Sequence, residues 1–230
     1  MEKRLSYDVV IVGAGPSGAS LGYFLAKEGV NVLLLEKERL PRYKSCAGGV
    51  PAYLDKLLGF AIDEVIEQKI NEVVFTYRSK DRVALKGDKD ILYTVMRSNF
   101  DSLLKEKAEE AGAEVLTGER AIDIEINDDG AEVITDGHRF KGKIVVGADG
   151  LSSIVARKAG LQRVRRLLIT VQGEVWVDEE TLEDFQGRVI LDIGYVPLGA
   201  CWVFPKKEHL TVGVAGLRLR NPQFYFDTFL

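Results

Sequence analysis

The sequence predicts an α/β fold with a parallel sheet in one domain and an antiparallel sheet in a second domain that is inserted discontinuously. Three observations predict it. An apolar strand, a glycine-rich turn, a helix and a second apolar strand follow one another within the first 36 residues. A later apolar strand, at residues 143–146, also runs into a glycine-rich turn. From residue 168 onward, short apolar strands separated by turns dominate, which is typical of an antiparallel sheet.

The first of these segments has the spacing of a dinucleotide-binding unit. Val9–Val12 is expected to be a strand, Ser17–Lys27 a helix, and Val30–Leu35 a second strand that ends in Glu36. Between the first strand and the helix lies a G-x-G-x-x-G motif, at Gly13–Gly18. A glycine motif in this strand–helix–strand context, followed by an acidic residue, predicts a Rossmann-like fold.

Each residue of the motif has a physical role in binding a dinucleotide. Gly13 permits the tight turn, Gly15 lets the backbone approach a pyrophosphate, and Gly18 lets the helix pack closely on the strand. The N–H groups at the start of the helix attract the phosphates. Glu36 is expected to accept hydrogen bonds from ribose hydroxyls and to repel a 2′-phosphate, which argues against NADP at this site. The motif does not distinguish FAD from NAD.

Composition excludes several classes of protein. The chain has 230 residues and a net charge of −4, so nucleic acid is not an expected partner. It has no apolar run long enough to span a membrane, and because the first strand begins so near Met1 we expect no signal peptide. The two cysteines, Cys46 and Cys201, favour a reducing, cytoplasmic location. With only two histidines, no metal site is expected.

The middle of the chain alternates between the two domains. A basic, glycine-rich loop at 37–50 either is a solvated connection or surrounds an anionic ligand. We expect a helix at Pro51–Gln68 and a hairpin formed by Val73–Arg78 and Arg82–Lys86. Arg97, just before a helix that ends at Gly112, is either a surface residue or a phosphate ligand.

The remaining segments define the domain boundaries. Lys143–Val146 is expected to be a buried strand that runs into the turn Gly147–Gly150, followed by a helix at Leu151–Lys158. This turn is either a ligand-facing edge of the parallel sheet or a plain connection. The antiparallel strands are expected at Leu168–Val177, Gly187–Ile193, Ala200–Pro205 and His209–Ala215, before a helical stretch at Pro222–Leu230. The predicted domains are 1–70 with 88–165, and 71–87 with 166–230.

Taken together, these segments resemble the flavoprotein fold of para-hydroxybenzoate hydroxylase. Two further motifs resemble those of the geranylgeranyl reductases. Pro41–Gly49 is similar to their P-x-x-K-x-C-x-G signature, and Trp202–Lys206 is similar to the W-x-F-P part of their Y-x-W-x-F-P motif. Ala200 stands where that motif has its tyrosine. The resemblance implies an FAD-binding domain and an incomplete antiparallel substrate domain.

The resemblance implies an FAD-dependent reductase that saturates carbon–carbon double bonds of geranylgeranyl chains in isoprenoid lipids, including precursors for phospholipid biosynthesis. Reduced flavin would deliver the hydride, and NADPH or a ferredoxin would supply electrons. A lipid substrate leaves peripheral membrane contact open. Two alternatives remain: an FAD-dependent aromatic monooxygenase or halogenase of the same fold, and a truncated dinucleotide-binding fragment without turnover. The family's second flavin motif is not in these 230 residues, so the chain resembles an N-terminal portion.

The resemblance also assigns site residues. Cys46 is the candidate catalytic residue, which relays a proton or shapes one face of the flavin, unless it is only a small packing residue. The expected cofactor-binding residues are Gly13, Ala14, Gly15, Pro16, Ser17, Gly18, Glu36, Lys37, Cys46, Ala47, Gly49, Arg97, Ala121, Asp149 and Gly150. The expected substrate-binding residues are Trp202, Phe204 and Pro205.

Overall fold

The computed structural model describes residues 5–161, 167–217 and 219–230. Its strands are β1 (Leu5–Val12), β2 (Val32–Glu36), β3 (Gly49–Pro51), β4 (Ile66–Ile70), β5 (Glu72–Tyr77), β6 (Asp81–Lys86), β7 (Leu92–Val95), β8 (Glu114–Thr117), β9 (Asp123–Asn127), β10 (Gly130–Ile134), β11 (Arg139–Gly147), β12 (Leu168–Val175), β13 (Arg188–Ile193), β14 (Gly199–Pro205) and β15 (Leu210–Leu217). Its α-helices are α1 (Pro16–Lys27), α2 (Leu54–Leu58), α3 (Arg97–Glu110), α4 (Ile154–Lys158), α5 (Glu179–Asp184) and α6 (Pro222–Phe229). The predicted α/β class, with one parallel-containing sheet and one largely antiparallel sheet, is confirmed.

The chain divides into two compact units. Unit 1 comprises Met1–Tyr43 and Ser98–Arg163, and unit 2 comprises Lys44–Arg97 and Val164–Leu230. The predicted domains placed residues 44–70 and 88–97 in the first domain, whereas they lie in unit 2. The physical reason is that β3, β4 and β7 form an antiparallel sheet with one another. How cofactor and substrate binding divide between the units stays a prediction.

Unit 1 is built on a six-stranded sheet in the order β8-β2-β1-β11-β10-β9. The first four strands are parallel, and β10 and β9 continue the sheet antiparallel. All five residues of β2 are buried, as expected for a central parallel strand that is covered on both faces. Helix α1 contacts β1 and β2 through a stripe of small buried residues, Gly18, Ala19, Gly22 and Ala26. The carboxyl ends of β1 and β11 therefore lie side by side.

Unit 2 contains a six-stranded sheet in the order β12-β15-β14-β13-β5-β6 and a three-stranded sheet in the order β3-β7-β4. The hairpin β5–β6 joins the larger sheet, as the sequence predicts, but β5 pairs with β13 in parallel. One face of this sheet carries a core cluster that includes Cys201, Val203, Val212, Val214 and Phe226 of helix α6. The cluster is built from residues of the second sequence segment of unit 2, between Val171 and Phe229.

The opposite face of the larger sheet carries apolar side chains that are partly exposed. The strand register places Trp202 beside Leu191, Leu191 beside Phe75, and Phe75 beside Val83. We call this surface the apolar face; its residues are Phe75, Tyr77, Val83, Leu85, Leu191, Ile193, Trp202 and Phe204. The exposed residues of this face are Phe75, Tyr77, Ile193, Leu85 and Val83, and their exposed fractions range from 39% for Phe75 to 61% for Val83. Such side chains on one sheet face form a candidate binding surface.

The predicted helix at Pro51–Gln68 is wrong. The segment instead contains the short helix α2, a 3-10 turn at Asp63–Val65 and most of strand β4. Gly59 ends α2 in the left-handed conformation at φ 77°, which favours glycine. The residues beyond it, Ile66 and Ile70, are buried in a strand rather than on a helix face. The leucines of α2 satisfy a helical period for little more than one turn.

Two further predictions near the end of unit 1 need correction. The strand at Lys143–Val146 is present within β11, but it is not fully buried, since Ile144 is 59% exposed. Val145 packs against the core cluster, and the neighbouring side chain points to the other face of the strand. The following helix begins at Ile154 rather than Leu151, because Ser153 Oγ accepts the N–H of Ala156 as an N-cap.

Helix α5 was not predicted from the sequence. Its N-cap, Asp178, accepts the N–H of Thr181 at 2.8 Å, and this acidic cap before Glu179 and Glu180 is the signal that could have identified it. Among the described residues no helix is long and apolar enough to cross a membrane.

Candidate functional site

At two positions of the glycine-rich turn after β1, the surrounding atoms leave no space for a side chain. Gly13 has φ 103°, and its N–H donates to the Leu35 carbonyl at 2.7 Å. A Cβ at Gly13 would overlap the Ala148 carbonyl, and a Cβ at Gly18 would overlap the Gly13 carbonyl. The turn therefore needs glycine at both positions to bring α1 against the sheet.

The third glycine, Gly15, faces open space. No atom lies within 4 Å of the position that a Cβ would occupy there. Gly15 is the N-cap of α1 and has no side chain to satisfy the first N–H groups, and Pro16 follows in the first turn. The side chain of Ser17 is exposed at the same end of the helix. Backbone donors with open space in front of them can bind a phosphate group.

Glu36 anchors this turn from the end of β2. Its carboxylate is 4% exposed; Oε2 accepts the N–H of Ala14 at 2.9 Å and Oε1 accepts the N–H of Glu38 at 3.1 Å. A carboxylate has about four lone-pair sites, so two remain for the ribose hydroxyls of a nucleotide. Lys37, the next residue, has an exposed side chain. The sequence did not indicate this structural role of Glu36.

Arg42 is a residue of this region that sequence reasoning missed. Its Nη1 lies 3.0 Å from Oδ2 of Asp101, which is fully buried, and its Nε lies 3.9 Å from Oε1 of Glu36. Arg42 thus links α3 to the end of β2 within unit 1. A charged residue in the basic loop 37–50 was visible in the sequence, but its buried partner on α3 was not.

The turn after β11 lies beside the glycine-rich turn. The Ala148 N–H donates to the Val12 carbonyl at 2.8 Å, and Gly150 has φ 81°. Asp149 accepts the N–H of Ile154 at 2.7 Å through Oδ2, whereas its buried Oδ1 has no hydrogen-bond partner among the described residues. A buried acceptor without a partner indicates a position where a ligand could donate. The predicted residues Asp149 and Gly150 therefore adjoin Gly13.

Together these features fit the ADP part of a dinucleotide. Such a ligand needs the open space in front of Gly15, the N–H groups of the uncapped start of α1 and the remaining lone pairs of Glu36. It also suits Oδ1 of Asp149, which has no partner in the part of the chain that the structure describes. Ala121 lies just before β9, at the far side of the sheet order, where its assigned role near an adenine stays a prediction.

In unit 2, the two reductase-like motifs lie in contact. We call residues 44–49 the Cys46 loop. Cys46 is exposed, its Sγ accepts the N–H of Gly48 at 3.4 Å, and its carbonyl accepts Nε2 of Gln172 at 3.2 Å. A Cβ at Gly49 would lie 2.8 Å from Cε1 of Phe204, so the loop passes directly over this ring.

Lys206 completes the junction, although the sequence marked it only as the last residue of the segment similar to W-x-F-P. Its Nζ donates to the Ala47 carbonyl at 2.6 Å, and the residue is 1% exposed. Burial lowers the pKa of Lys206 to about 8, against the opposing influence of Glu67, Cys46 and Glu174. The Pro205 carbonyl in turn accepts Thr94 Oγ1 at 2.7 Å. In the sequence, the position of Lys206 directly after W-x-F-P was the available sign of this role, but the burial of its side chain is visible only in the fold.

The side chains of β14 alternate between the two faces of the sheet. Cys201 and Val203 point into the core, and burial raises the pKa of the Cys201 thiol to about 12. Trp202 and Phe204 therefore lie on the apolar face, and a Cβ at Gly213 would overlap the Trp202 ring. Arg97 is the first residue of α3 and has a partly buried side chain. The substrate-binding and phosphate-binding roles of these residues stay predictions.

Comparison with known proteins identifies relatives over nearly the whole chain. A family model described as an FAD binding domain matches residues 6–187. A digeranylgeranylglycerophospholipid reductase of Methanocaldococcus jannaschii is 32% identical over 239 residues, covering 97% of this chain and 59% of the reductase. An uncharacterized protein of Methanosarcina barkeri is 33% identical over 226 residues, covering 97% of this chain and 58% of that protein. The chain thus spans less than two thirds of the length of these curated relatives.

Solved structures give the same picture of the fold. A geranylgeranyl bacteriochlorophyll reductase-like protein of Thermoplasma acidophilum matches with a TM-score of 0.87 and 25% identity, over 99% of this chain and 62% of that protein. The halogenase PltM, solved in complex with phloroglucinol and FAD, matches with a TM-score of 0.77 and 21% identity, over 97% of this chain and 55% of the halogenase. At that identity the halogenase match speaks for the fold only.

Proposed function

The chain belongs to the FAD binding domain family, and we therefore propose that it is part of an FAD-dependent reductase that saturates carbon–carbon double bonds in geranylgeranyl chains of isoprenoid lipids. The observation that carries this proposal is the junction of the Cys46 loop with β14. Lys206 Nζ lies 2.6 Å from the Ala47 carbonyl, and the Phe204 ring lies beneath Gly49. The two sequence motifs that resemble those of reductases are thus parts of one structural site.

FAD is the cofactor of this family, and the glycine-rich turn supplies groups that suit its ADP part. The open backbone at Gly15 and the start of α1 would bind the pyrophosphate, and Glu36 would accept from the ribose hydroxyls. Asp149 Oδ1 is a buried acceptor that a hydroxyl of the cofactor could satisfy. When bound and reduced, FAD supplies a hydride to one carbon of the alkene.

The protein's own residues would bind and orient the lipid and donate a proton to it. Trp202 and Phe204 begin an apolar face that extends across β13, β5 and β6, and a polyisoprenoid chain can bind such a surface by apolar burial. The Cys46 loop passes over Phe204 at Gly49, and the exposed thiol of Cys46 in this loop would transfer a proton to the second alkene carbon. Addition of one hydride and one proton balances the saturation of each double bond.

Electrons would come from NADPH or from a ferredoxin, an electron-donor protein. The acidic residue Glu36 at the ribose position disfavours the 2′-phosphate of NADPH in the FAD site, so NADPH would act as a transient donor elsewhere. Anaerobic stopped-flow reduction of the bound flavin with each donor distinguishes them. We place the protein in the cytoplasm, because Cys46 and Cys201 are both free thiols.

Peripheral membrane contact is part of the proposal because the substrate is a lipid. The hairpin β5–β6 supports it: residues 78–86 contain four cations and one anion, and Val83 and Leu85 on this edge strand are each more than half exposed. Basic and apolar side chains on one edge hairpin fit an anionic lipid surface. Sedimentation with vesicles that contain anionic lipid measures this contact, and a double charge reversal, Arg78→Glu with Lys80→Glu, should weaken it.

The reaction is tested by anaerobic turnover. The purified protein is reconstituted with FAD, reduced with dithionite and incubated with a geranylgeranylated glycerophospholipid. We expect mass analysis to show a gain of two hydrogens for each double bond that is reduced. No gain with a protein that holds FAD in a defined ratio would count against reductase turnover by this chain. Turnover of an aromatic substrate with oxygen or halide would then favour a monooxygenase or halogenase, and no turnover at all, or no flavin bound, would favour a fragment without turnover.

A matched pair of variants connects the reaction to the apolar face. Trp202→Ala removes a large side chain from this face, whereas Trp176→Ala removes an exposed tryptophan that stacks on His209. We expect the first change to raise the KM for the lipid about tenfold or more, because burial of an aromatic side chain against a ligand contributes roughly 1.5–3 kcal/mol. The second change should leave the KM within about twofold.

A further inference from the structure

We propose that Lys206 is the positioning residue of the Cys46 loop: its buried ammonium group holds the loop against the end of β14 and thereby sets where the Cys46 side chain lies. The importance of this anchor for catalysis rests on the proposed reductase function. The anchoring itself is a property of unit 2 and can be measured without flavin or lipid.

The geometry supplies the first argument. Lys206 Nζ donates to the carbonyl of Ala47, the residue next to Cys46, at 2.6 Å. The loop is held from two other strands as well, since Gln172 of β12 donates to the Cys46 carbonyl and the Val95 N–H of β7 donates to the Gly48 carbonyl at 2.8 Å. Lys206 is the charged member of this set of anchors, and a hydrogen bond from a charged donor is roughly twice as strong as a neutral one.

The cost of burying Lys206 supplies the second argument. A lysine that is 1% exposed loses nearly all of its hydration, and an apolar side chain of similar length could fill the same space without that cost. Two carboxylates, Glu67 on β4 and Glu174 on β12, interact favourably with the ammonium, as does Cys46. A buried cation with acidic neighbours and a backbone carbonyl as its acceptor indicates a specific task rather than filling of the core.

The charge of Lys206 distinguishes its role from that of a packing residue. Burial lowers the pKa of Lys206 to about 8, and the side chain still carries its proton near pH 7. His209, which also interacts with Lys206, has a lowered pKa and is therefore not a competing cation there. A neutral side chain of similar length would lack the charge-assisted hydrogen bond to Ala47.

Hydrogen–deuterium exchange of the Gly48 and Val95 amides tests the proposal, because both amides are bonded at the Cys46 loop. We expect their protection factors at about pH 7 to be about tenfold lower in Lys206→Met than in the wild type, since loss of roughly 1.4 kcal/mol is a tenfold change. Lys206→Arg keeps a charged donor and should therefore retain the wild-type protection.

Two results would overturn the proposal. One is equal protection in Lys206→Met and the wild type; the other is protection in Lys206→Arg as low as in Lys206→Met. If the arginine variant does not fold, the comparison of Lys206→Met with the wild type still decides. Because the protein is measured without flavin, failure of the reductase proposal does not affect the outcome.

Discussion

Glu36 and Ala14 are joined by a hydrogen bond of 2.9 Å, in which a backbone N–H of the glycine-rich turn donates to a buried carboxylate. The acidic residue at the end of β2 thus holds the turn in shape before any ligand is bound. The same carboxylate also accepts the N–H of Glu38. Glu36 therefore combines a structural role with the proposed recognition of a ribose.

Glu36→Ala should weaken both folding and FAD binding. The buried N–H of Ala14 and the part-buried N–H of Glu38 lose their acceptor. This loss costs about 1–3 kcal/mol of unfolding free energy, and FAD affinity should fall more than tenfold. Urea denaturation and flavin titration measure the two effects. The control is Glu38→Ala, whose exposed side chain makes an ion pair with Arg120 at 3.6 Å; this change should alter either quantity little. A stable Glu36→Ala protein with unaltered FAD affinity would contradict this assignment.

Gly15→Ala should separate binding from stability. A Cβ at this position meets no protein atom within 4 Å, so the free energy of unfolding should change by less than about 0.5 kcal/mol. FAD affinity should nevertheless fall at least about tenfold, because the methyl group would occupy the space proposed for the pyrophosphate. Gly137→Ala is the matched control, since its Cβ also meets open space but lies in a distant turn. Unchanged affinity in Gly15→Ala would place the phosphates elsewhere.

Gly18→Ala should behave in the opposite way and damage the fold itself. The added Cβ would overlap the Gly13 carbonyl, so α1 would have to move away from β1. Overpacking of this kind costs about 1–3 kcal/mol or more, and a lower urea midpoint is the expected result even without FAD. Gly22→Ala in the same helix is the control, because a Cβ there makes ordinary contacts at 3.7 Å or more. Equal midpoints for the two variants would be inconsistent with the described packing of α1.

Lys206→Met should remove a pH dependence of stability. The pKa of Lys206 is about 8 in the folded protein and 10.5 as a reference, so between these values the unfolded chain binds more protons. Stability from this group therefore rises with pH from about 8 to 10.5, by roughly 3 kcal/mol, and the penalty is fully present below about pH 8. The difference in unfolding free energy between wild type and Lys206→Met should shrink as pH rises. A constant difference would mean that Lys206 titrates normally.

The two cysteines should differ sharply in reactivity. Burial raises the pKa of Cys201 to about 12, while Cys46 is exposed. Since the thiolate is the reactive form, iodoacetamide near pH 8 should add one label to the native protein, at Cys46, and two labels after unfolding in urea. Peptide mass mapping identifies the site. Labelling of Cys201 in the native protein would show that the core of unit 2 opens easily.

The sequence was sufficient to predict unit 1 in outline because its signals are local. A strand, a glycine motif and a helix within 36 residues leave little choice of topology, and Gly13–Gly18 is placed as expected. The helix at Pro51–Gln68 failed because three leucines matched a helical period over a segment that Gly59 interrupts. Residues 66–70 form a strand because β4 pairs with β7, and such a contact between distant segments is not revealed by periodicity.

In the candidate site, too, the residues with local sequence signals could be predicted and those with long-range partners could not. The glycines and Cys46 could be identified from motifs, because each motif is contiguous. Lys206 and Arg42 could not, since both owe their importance to partners that lie far away in sequence, Ala47 and Asp101. A lysine in a Lys-Lys-Glu turn looks like a solvated residue until the strand before it is placed. Burial of a charge is a property of tertiary structure and not of composition.

The parallel pairing of β5 with β13 affects how the chain folds during synthesis. Residues 72–77 can form this ladder only after residues 188–193 have been synthesised. During synthesis the hairpin β5–β6 therefore leaves the ribosome with one strand edge unsatisfied, while its apolar side chains are open to other chains. Because contacts of such long sequence separation also slow folding, yields at high expression should depend on chaperone supply.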